Sequence, residues 1–113
     1  MTLQAIKDAL AGLGIAYAYR VFMDDQPTTP FLVYYVDSER GLHGSDIPIA
    51  CIGGLTIELY TNNKDSALEA RLEATLLSLG LLYDKDELWL ENERAYEIVY
   101  SAEFWLTKEE ENG

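Results

Sequence analysis

The chain has 113 residues, 49% apolar and 25% charged, a composition typical of one globular domain and unlike that of a disordered polypeptide. Asp and Glu total 20 against 8 Lys and Arg, and the formal charge of -12 opposes binding to a phosphate backbone. The lone Cys51 excludes an internal disulfide, and the sequence predicts neither a cleavable signal nor a membrane span. We expect a single domain over 1–107, a flexible acidic tail over 108–113, and no cofactor, membrane or sequence-specific nucleic-acid partner.

The first third of the chain predicts a helix followed by two strands. Apolar residues recur at three- and four-residue steps over 3–13, which is typical of an amphipathic helix. Alternating Tyr and Val over 15–22 favour a strand, and the prolines and aspartates of 23–30 predict a loop. The continuous apolar run over 31–36 predicts a central strand.

The segment 39–54 is the least regular part of the sequence. Its four glycines and one proline are interpreted as turn residues, and its length exceeds that of an ordinary connection. We predict a functional or oligomer-contacting loop, long enough to contain a short strand. The residues predicted to contact a partner are Arg40, Leu42, His43, Asp46, Ile47 and Ile49.

The second half predicts a strand, a helix and a terminal hairpin. Residues 55–60 alternate between apolar and polar, as in a half-buried strand. Ser66 and Glu69 have the spacing of a capping box immediately before a leucine-rich helical period that Gly80 ends. Strands are predicted over 86–92 and 96–107, the second with a two-residue period throughout.

This order of elements defines the predicted fold class. It is α-β-β-β-α-β-β, which favours antiparallel neighbours. We expect a two-layer α+β fold, with one mainly antiparallel sheet of about five strands and two helices on one face.

Three candidate chemical sites compete with structural interpretations. Asp24, Asp25 and Asp37 could bind a hard cation, but a solvated turn explains them better. His43 could activate the thiol of Cys51, yet a lone cysteine among apolar residues is usually a small buried side chain. The glutamates of the final hairpin could form a carboxylate pair, as any acidic strand pair could. The sequence therefore predicts a protein that is not an enzyme.

Tyrosines are abundant in the predicted strands. Aromatic pairs across strands stabilise a sheet, which is the simpler explanation. Tyr and Trp are also enriched at protein interfaces, so an interaction surface is the functional interpretation. The strand tyrosines are Tyr17, Tyr19, Tyr34, Tyr35, Tyr60, Tyr96 and Tyr100.

Three segments carry a resemblance to a known family of structural proteins. They are Phe31-Leu-Val-Tyr-Tyr-Val-Asp37, Leu55-Thr-Ile-Glu-Leu-Tyr-Thr61 with Lys64-Asp65 after it, and Tyr96-Glu-Ile-Val-Tyr-Ser-Ala-Glu-Phe104. Their order and separation resemble those of small tail-completion, tail-terminator and minor capsid proteins of long-tailed bacteriophages and prophages. The resemblance spans nearly the whole chain and includes no catalytic residue.

The resemblance implies a structural role in the virion. Subunits of this family close into a ring, commonly of six, which caps the tail tube and presents a surface to the head connector. It implies copies of the chain, tail-tube proteins and head-connector proteins as partners. The protein would lie in the virion, and in the host cytoplasm during assembly.

Two other functions remain open from the sequence. A small acidic bacterial adaptor or inhibitor could use the negative charge to bind a basic partner. A hydrolase that uses Cys51 and His43 ranks last.

Overall fold

The computed structural model describes residues 1–41 and 50–107, which form two helices and a five-stranded sheet. The elements are α1 (Leu3–Ala11), β1 (Ala16–Tyr19), β2 (Phe31–Gly41), β3 (Ala50–Thr61), α2 (Ser66–Ser78), β4 (Tyr83–Leu90) and β5 (Ala95–Thr107). The predicted element order and the α+β class are confirmed. The predicted tail over 108–113 lies outside the described residues.

The sheet has the strand order β1-β2-β3-β5-β4. β1 runs parallel to β2, whereas the β2–β3, β3–β5 and β4–β5 pairings are antiparallel. β3 pairs with β5 along its whole length, from Ala50 opposite Thr107 to Thr61 opposite Tyr96. These long, non-local pairings make the β2, β3 and β5 strands the centre of the molecule.

The hydrophobic core lies between the sheet and both helices. We call this side of the sheet the helix-covered face and the other side the open face. Alternate residues point to the same face of a strand, so the two-residue period of β5 sends Ile98 and Tyr100 into the core. Burial of each large apolar side chain contributes roughly 1.5–3 kcal/mol. The core includes Ile6, Leu10, Leu32, Tyr34, Leu55, Ile57, Leu59, Leu68, Leu72, Leu76, Ile98 and Tyr100.

The N-terminus of α2 differs from the predicted capping box. Asp65 is the N-cap, and its carboxylate accepts a hydrogen bond of 3.0 Å from the backbone N–H of Leu68. Ser66 is therefore the first helical residue, and the carboxylate of Glu69 points to two lysines instead of the cap. The prediction was wrong by one residue because the aspartate before Ser66 is an equally good N-cap.

Glu69 joins α2 to the sheet through a network that we call the α2 anchor, formed by Lys64, Glu69, Glu73, Lys85 and Tyr100. One oxygen of the nearly buried Glu69 carboxylate lies 2.8 Å from both lysine nitrogens. The Glu73 carboxylate accepts hydrogen bonds of 2.8 Å from Lys85 and from Tyr100. Burial alone would raise the pKa of both carboxyls, but the hydrogen bonds from their partners outweigh it and lower each pKa.

Two strands extend into the segment that was predicted as a loop. β2 continues to Gly41 and β3 begins at Ala50, so the prediction of a loop over 39–54 was wrong at both ends. Gly53 and Gly54 are strand residues, not turn residues. A Cβ at Gly53 would lie 3.1 Å from the ring of Phe104, which shows that close packing favours glycine there.

Gly54 faces an irregularity in β2, where the register shifts between Val36 and Ser38. A Cβ at Gly54 would lie 2.4 Å from Oγ of Ser38 and 2.7 Å from Oδ1 of Asp37. Asp37 also accepts a hydrogen bond of 2.6 Å from the hydroxyl of Thr56. The missing side chain therefore leaves room for this bulge.

We expect Gly54→Ala to lower the free energy of unfolding by about 1–2 kcal/mol, because the added methyl displaces Asp37 and Ser38. Gly41→Ala is the matched control, since a Cβ at Gly41 meets no atom of residues 1–41 and 50–107 within 4 Å. Urea unfolding of both variants measures the difference. Equal stability of the two variants would contradict the packing role of Gly54.

Candidate interaction surface

The open face of the sheet is left uncovered by α1 and α2, because both helices pack on the other side. Lys85 of β4 reaches Glu73 of α2 on the helix-covered face, so its neighbours Asp84 and Asp86 point to the open face. The open face is therefore rich in carboxylates. They belong to Asp37, Glu58, Asp84, Asp86, Glu97 and Glu103.

One end of the sheet is a three-stranded extension, formed by residues 37–41, 50–54 and 103–107. The pairing of β1 with β2 ends at Tyr34, and the pairing of β4 with β5 ends at Ala102. Strands β2, β3 and β5 therefore continue beyond both edge strands. Within the described ranges, this is where the sheet narrows from five strands to three.

Three side chains from different strands form a row across the open face of the extension. Arg40 lies opposite Ile52, and Ile52 lies opposite Trp105. Trp105 is 59% exposed, whereas its neighbours Phe104 and Leu106 are buried. We call Arg40, Ile52 and Trp105 the extension patch. It combines one cation with an exposed aromatic ring, a pair of residue types enriched at the centres of protein interfaces.

Side chains cover the outer edge of β2 where β1 ends. The hydroxyl of Tyr19 accepts a hydrogen bond of 3.2 Å from the N–H of Val36. The guanidinium of Arg20 donates one of 3.1 Å to the carbonyl of Val36. Beyond Val36, the outer edge of β2 pairs with no strand in the described part of the chain.

The opposite edge of the sheet is protected by charge. Four consecutive residues of β4 are charged, which disfavours addition of another strand. They are Asp84, Lys85, Asp86 and Glu87. Contact through β4 is therefore less favourable than contact through β2 and the extension.

The other end of the open face carries a cavity of about 620 Å³, which we call the acid pocket. The loop 20–30 forms one wall, and Phe22 packs against Phe31 with ring centroids 5.6 Å apart. Phe31 stacks in turn on Tyr60 at 4.9 Å. Residues from β2, β3, β4, β5 and the turns beside them complete the lining, whose carboxylates belong to Asp24, Glu58, Glu93 and Glu97. Its volume lies in the range of ordinary ligand pockets.

Two tyrosines hold a carboxylate in place at the acid pocket. The hydroxyls of Tyr35 and Tyr60 donate hydrogen bonds of 3.2 Å to opposite oxygens of Glu58. Glu97 lies directly opposite Tyr60 in the pairing of β3 with β5. Burial, together with hydrogen bonding to Glu97 and Glu58, raises the pKa of Tyr60 far above its ordinary range. Tyr60 therefore stays a neutral hydrogen-bond donor to Glu58 at neutral pH.

Arg20 is already committed to its own chain. Its backbone is left-handed, with φ of 66°, and its N–H donates to the carbonyl of Tyr34 at 3.0 Å. The guanidinium lies 5.0 Å from the ring centroid of Tyr35 and bonds to Val36. A non-glycine residue in this conformation costs roughly 1 kcal/mol, which these contacts offset.

The structure describes only part of the predicted contact loop. Arg40 is exposed on β2, in the extension patch. The other predicted contact residues, Leu42, His43, Asp46, Ile47 and Ile49, lie outside the described residues.

The candidate chemical residues occupy separate places. Cys51 is 6% exposed and its sulfur lies 4.0 Å from the carbonyl oxygen of Leu106, as expected for a small buried side chain. Its proposed partner His43 is outside the described residues. Among residues 1–41 and 50–107, no group of three or more His, Cys, Asp or Glu side chains could hold a metal ion.

The sequence interpretation missed the extension patch and the acid pocket as sites. Glu58 and Tyr60 alternate with the apolar residues of β3, as Glu97 does in β5, so each strand alone places them on the polar face. Their meeting depends on the pairing register of three strands. Ile52 was assigned to the irregular segment, and Trp105 to the mixed face of the final strand.

Comparisons with known proteins identify no relative of this chain. No protein-family model matches the chain, and no curated protein matches it. A search of the described residues for a helix long and apolar enough to cross a bilayer finds none.

Proposed function

We propose that the protein is a structural subunit of a bacteriophage or prophage virion, of the tail-completion or head–tail joining kind. It acts by self-association into a ring and by docking to tail-tube and head-connector proteins. Its place is the virion, and the host cytoplasm during assembly. The protein acts through surface contacts and catalyses no covalent reaction.

The extension patch is the observation that carries this proposal. Trp105 presents a large aromatic surface on a narrow part of the sheet, in the same row as the exposed Arg40. The adjoining edge of β2 beyond Val36 pairs with no described strand. A ring needs one surface to meet a different surface of the next copy, and a projecting end of a sheet suits such a heterologous contact.

The resemblance noted in the sequence supports the same proposal. Its three segments lie on β2, on β3 with the turn after it, and on β5. These are the strands that form both the centre of the sheet and the extension. Arg40, Ile52 and Trp105 lie on the same three strands, just beyond the ends of the resembling segments.

Sedimentation equilibrium over a range of protein and salt concentrations tests self-association. Each copy carries a formal charge of -12, so long-range repulsion opposes assembly at low salt. The Debye length falls from about 10 Å at 0.1 M salt to about 3 Å at 1 M. We expect the apparent Kd to fall about tenfold over this range, and ring particles to appear by electron microscopy. A monomer at every concentration and salt level would contradict the proposal.

A second function is favoured by the acidity of the open face. Asp37, Asp84 and Glu103 line a groove of about 510 Å³ near the middle of the sheet. Such a surface suits an adaptor or inhibitor that binds a basic partner. A monomer that binds a lysine-rich peptide, with affinity that falls as salt rises, would favour this function over the ring.

A further inference from the structure

We propose that the extension patch of one copy inserts into the acid pocket of the next copy, with Arg40 as the cation that the pocket receives. This inference rests on the proposed self-association and specifies its contact. The occupant of the acid pocket is therefore a second copy of this chain.

The charges of the two surfaces are complementary. The residues that line the acid pocket include four carboxylates and one guanidinium, which belong to Asp24, Glu58, Glu93, Glu97 and Arg20. Arg20 offsets one of the four carboxylate charges, so the lining keeps a formal excess of three negative charges. A second guanidinium that enters the pocket would meet an excess of negative charge.

Arg40 is the cation best placed to supply that guanidinium. It is exposed, and none of the ion pairs in the described part of the chain includes it. By contrast, Lys64 and Lys85 belong to the α2 anchor, and Arg71 donates a hydrogen bond of 2.9 Å to the carbonyl of Leu13. Lys7 is exposed on α1, on the other side of the sheet. Arg94 is also exposed, but it lies in the β4–β5 turn between Glu93 and Ala95, which line the acid pocket itself.

The apolar parts of the two surfaces also match. Ile52 lies between Arg40 and Trp105 on the extension, and Trp105 is the most exposed aromatic ring in the described residues. The acid pocket offers the stacked rings of Phe31 and Tyr60. Stacking of aromatic groups around a desolvated charge pair strengthens the pair and excludes water from it.

The two surfaces lie too far apart to meet within one molecule. Ile52 and Tyr60 are both on β3, and the strand rise of about 3.3 Å per residue separates them by roughly 26 Å. A contact between opposite ends of one face is therefore intermolecular and heterologous. Repetition of such a contact closes a ring or extends a filament, according to the rotation between neighbours.

Charge reversal tests the contact directly. We expect Arg40→Glu and Glu97→Lys each to weaken self-association about 30-fold, measured by sedimentation equilibrium. The combined Arg40→Glu, Glu97→Lys variant restores an opposite-charge pair between positions 40 and 97, and its affinity should be at least about tenfold higher than that of Arg40→Glu alone. Because the pair is desolvated in the contact, salt screens it much less than it screens the repulsion between whole subunits.

Matched controls separate the contact from general charge effects. Lys7→Glu has the same charge change as Arg40→Glu, and Asp86→Lys has the same charge change as Glu97→Lys outside the acid pocket. Both controls should shift the Kd less than about threefold. Glu93→Lys, in the exposed β4–β5 turn, is a second pocket variant that does not depend on the packing of Glu97.

The outcomes distinguish this inference from the proposed function. The contact is supported if the single variants associate more weakly, the combined variant recovers affinity and the controls keep the wild-type Kd. Wild-type assembly that tolerates Arg40→Glu, Glu97→Lys and Glu93→Lys would overturn the contact and leave self-association standing. A wild-type chain that stays monomeric would overturn both.

Discussion

Replacement of both Lys64 and Lys85 by methionine is expected to lower the free energy of unfolding by about 3 kcal/mol. The reason is that the Glu69 side chain is 3% exposed and would become a buried charge without a cation. We expect a loss at the low end of the range that is usual for a broken buried ion pair, because the two lysine side chains are partly exposed, at 43% and 34%. Urea unfolding followed by circular dichroism measures the loss.

Two variants show whether the loss comes from the buried charge. Lys7→Met makes the same substitution on the exposed side of α1, and it should change the free energy of unfolding by less than about 0.5 kcal/mol. Addition of Glu69→Leu to the double lysine variant removes the unpaired carboxylate and should recover most of the stability. If Glu69→Leu brings no recovery, the α2 anchor does not act through that charge.

The pH dependence of stability should change sign in the double lysine variant. In the wild type the lowered pKa of Glu69 and Glu73 stabilises the fold above their ordinary pKa of 4.5, and this stability is lost as pH falls further. Without lysines, burial dominates and raises the pKa of Glu69. Protonation then favours the folded state, so the variant should gain stability between about pH 7 and pH 5.

Truncation of Trp105 to alanine is expected to weaken self-association about 30-fold. An aromatic ring at the centre of an interface commonly contributes about 2 kcal/mol, which corresponds to that change in Kd. The ring is 59% exposed in the single chain, so the free energy of unfolding should change little. Sedimentation equilibrium and urea unfolding of the same sample measure the two quantities separately.

Trp89 provides the matched control for Trp105. It is also exposed, at 45%, but its indole packs against Tyr96 with ring centroids 4.9 Å apart and donates a hydrogen bond to Glu91. Trp89→Ala should therefore reduce stability modestly and leave the Kd unchanged. Equal effects of the two substitutions on assembly would argue against the extension patch as the contact.

Local patterns predicted the elements well where one period continued without interruption. The leucine steps of α2 and the two-residue period of β5 both correspond to observed elements. Predictions failed where a local signal had a tertiary cause. Gly53 and Gly54 suggested turns, yet the first accommodates the ring of Phe104 and the second accommodates the bulge at Ser38.

The candidate site could be predicted only in part. Arg40 was identified from the sequence as a contact residue, although as part of an irregular loop and not of a strand. Glu58 and Glu97 belong to different strands that are far apart in sequence, and only the pairing of β3 with β5 brings them to one pocket. No pattern within a single strand contains that information, because register is decided by contacts between strands.

The sequence by itself determined the acidity of the chain, the types and order of its elements, and the faces of β3 and β5 that enter the core. These follow from local periodicity and from composition, which are properties of neighbouring residues. Only the tertiary structure decided that β2, β3 and β5 extend beyond the edge strands β1 and β4. It also decided that Arg40, Ile52 and Trp105 lie in one row and that the acid pocket lies at the opposite end of the open face. The physical reason is that strand lengths and register minimise the free energy of the whole sheet, to which distant segments contribute together.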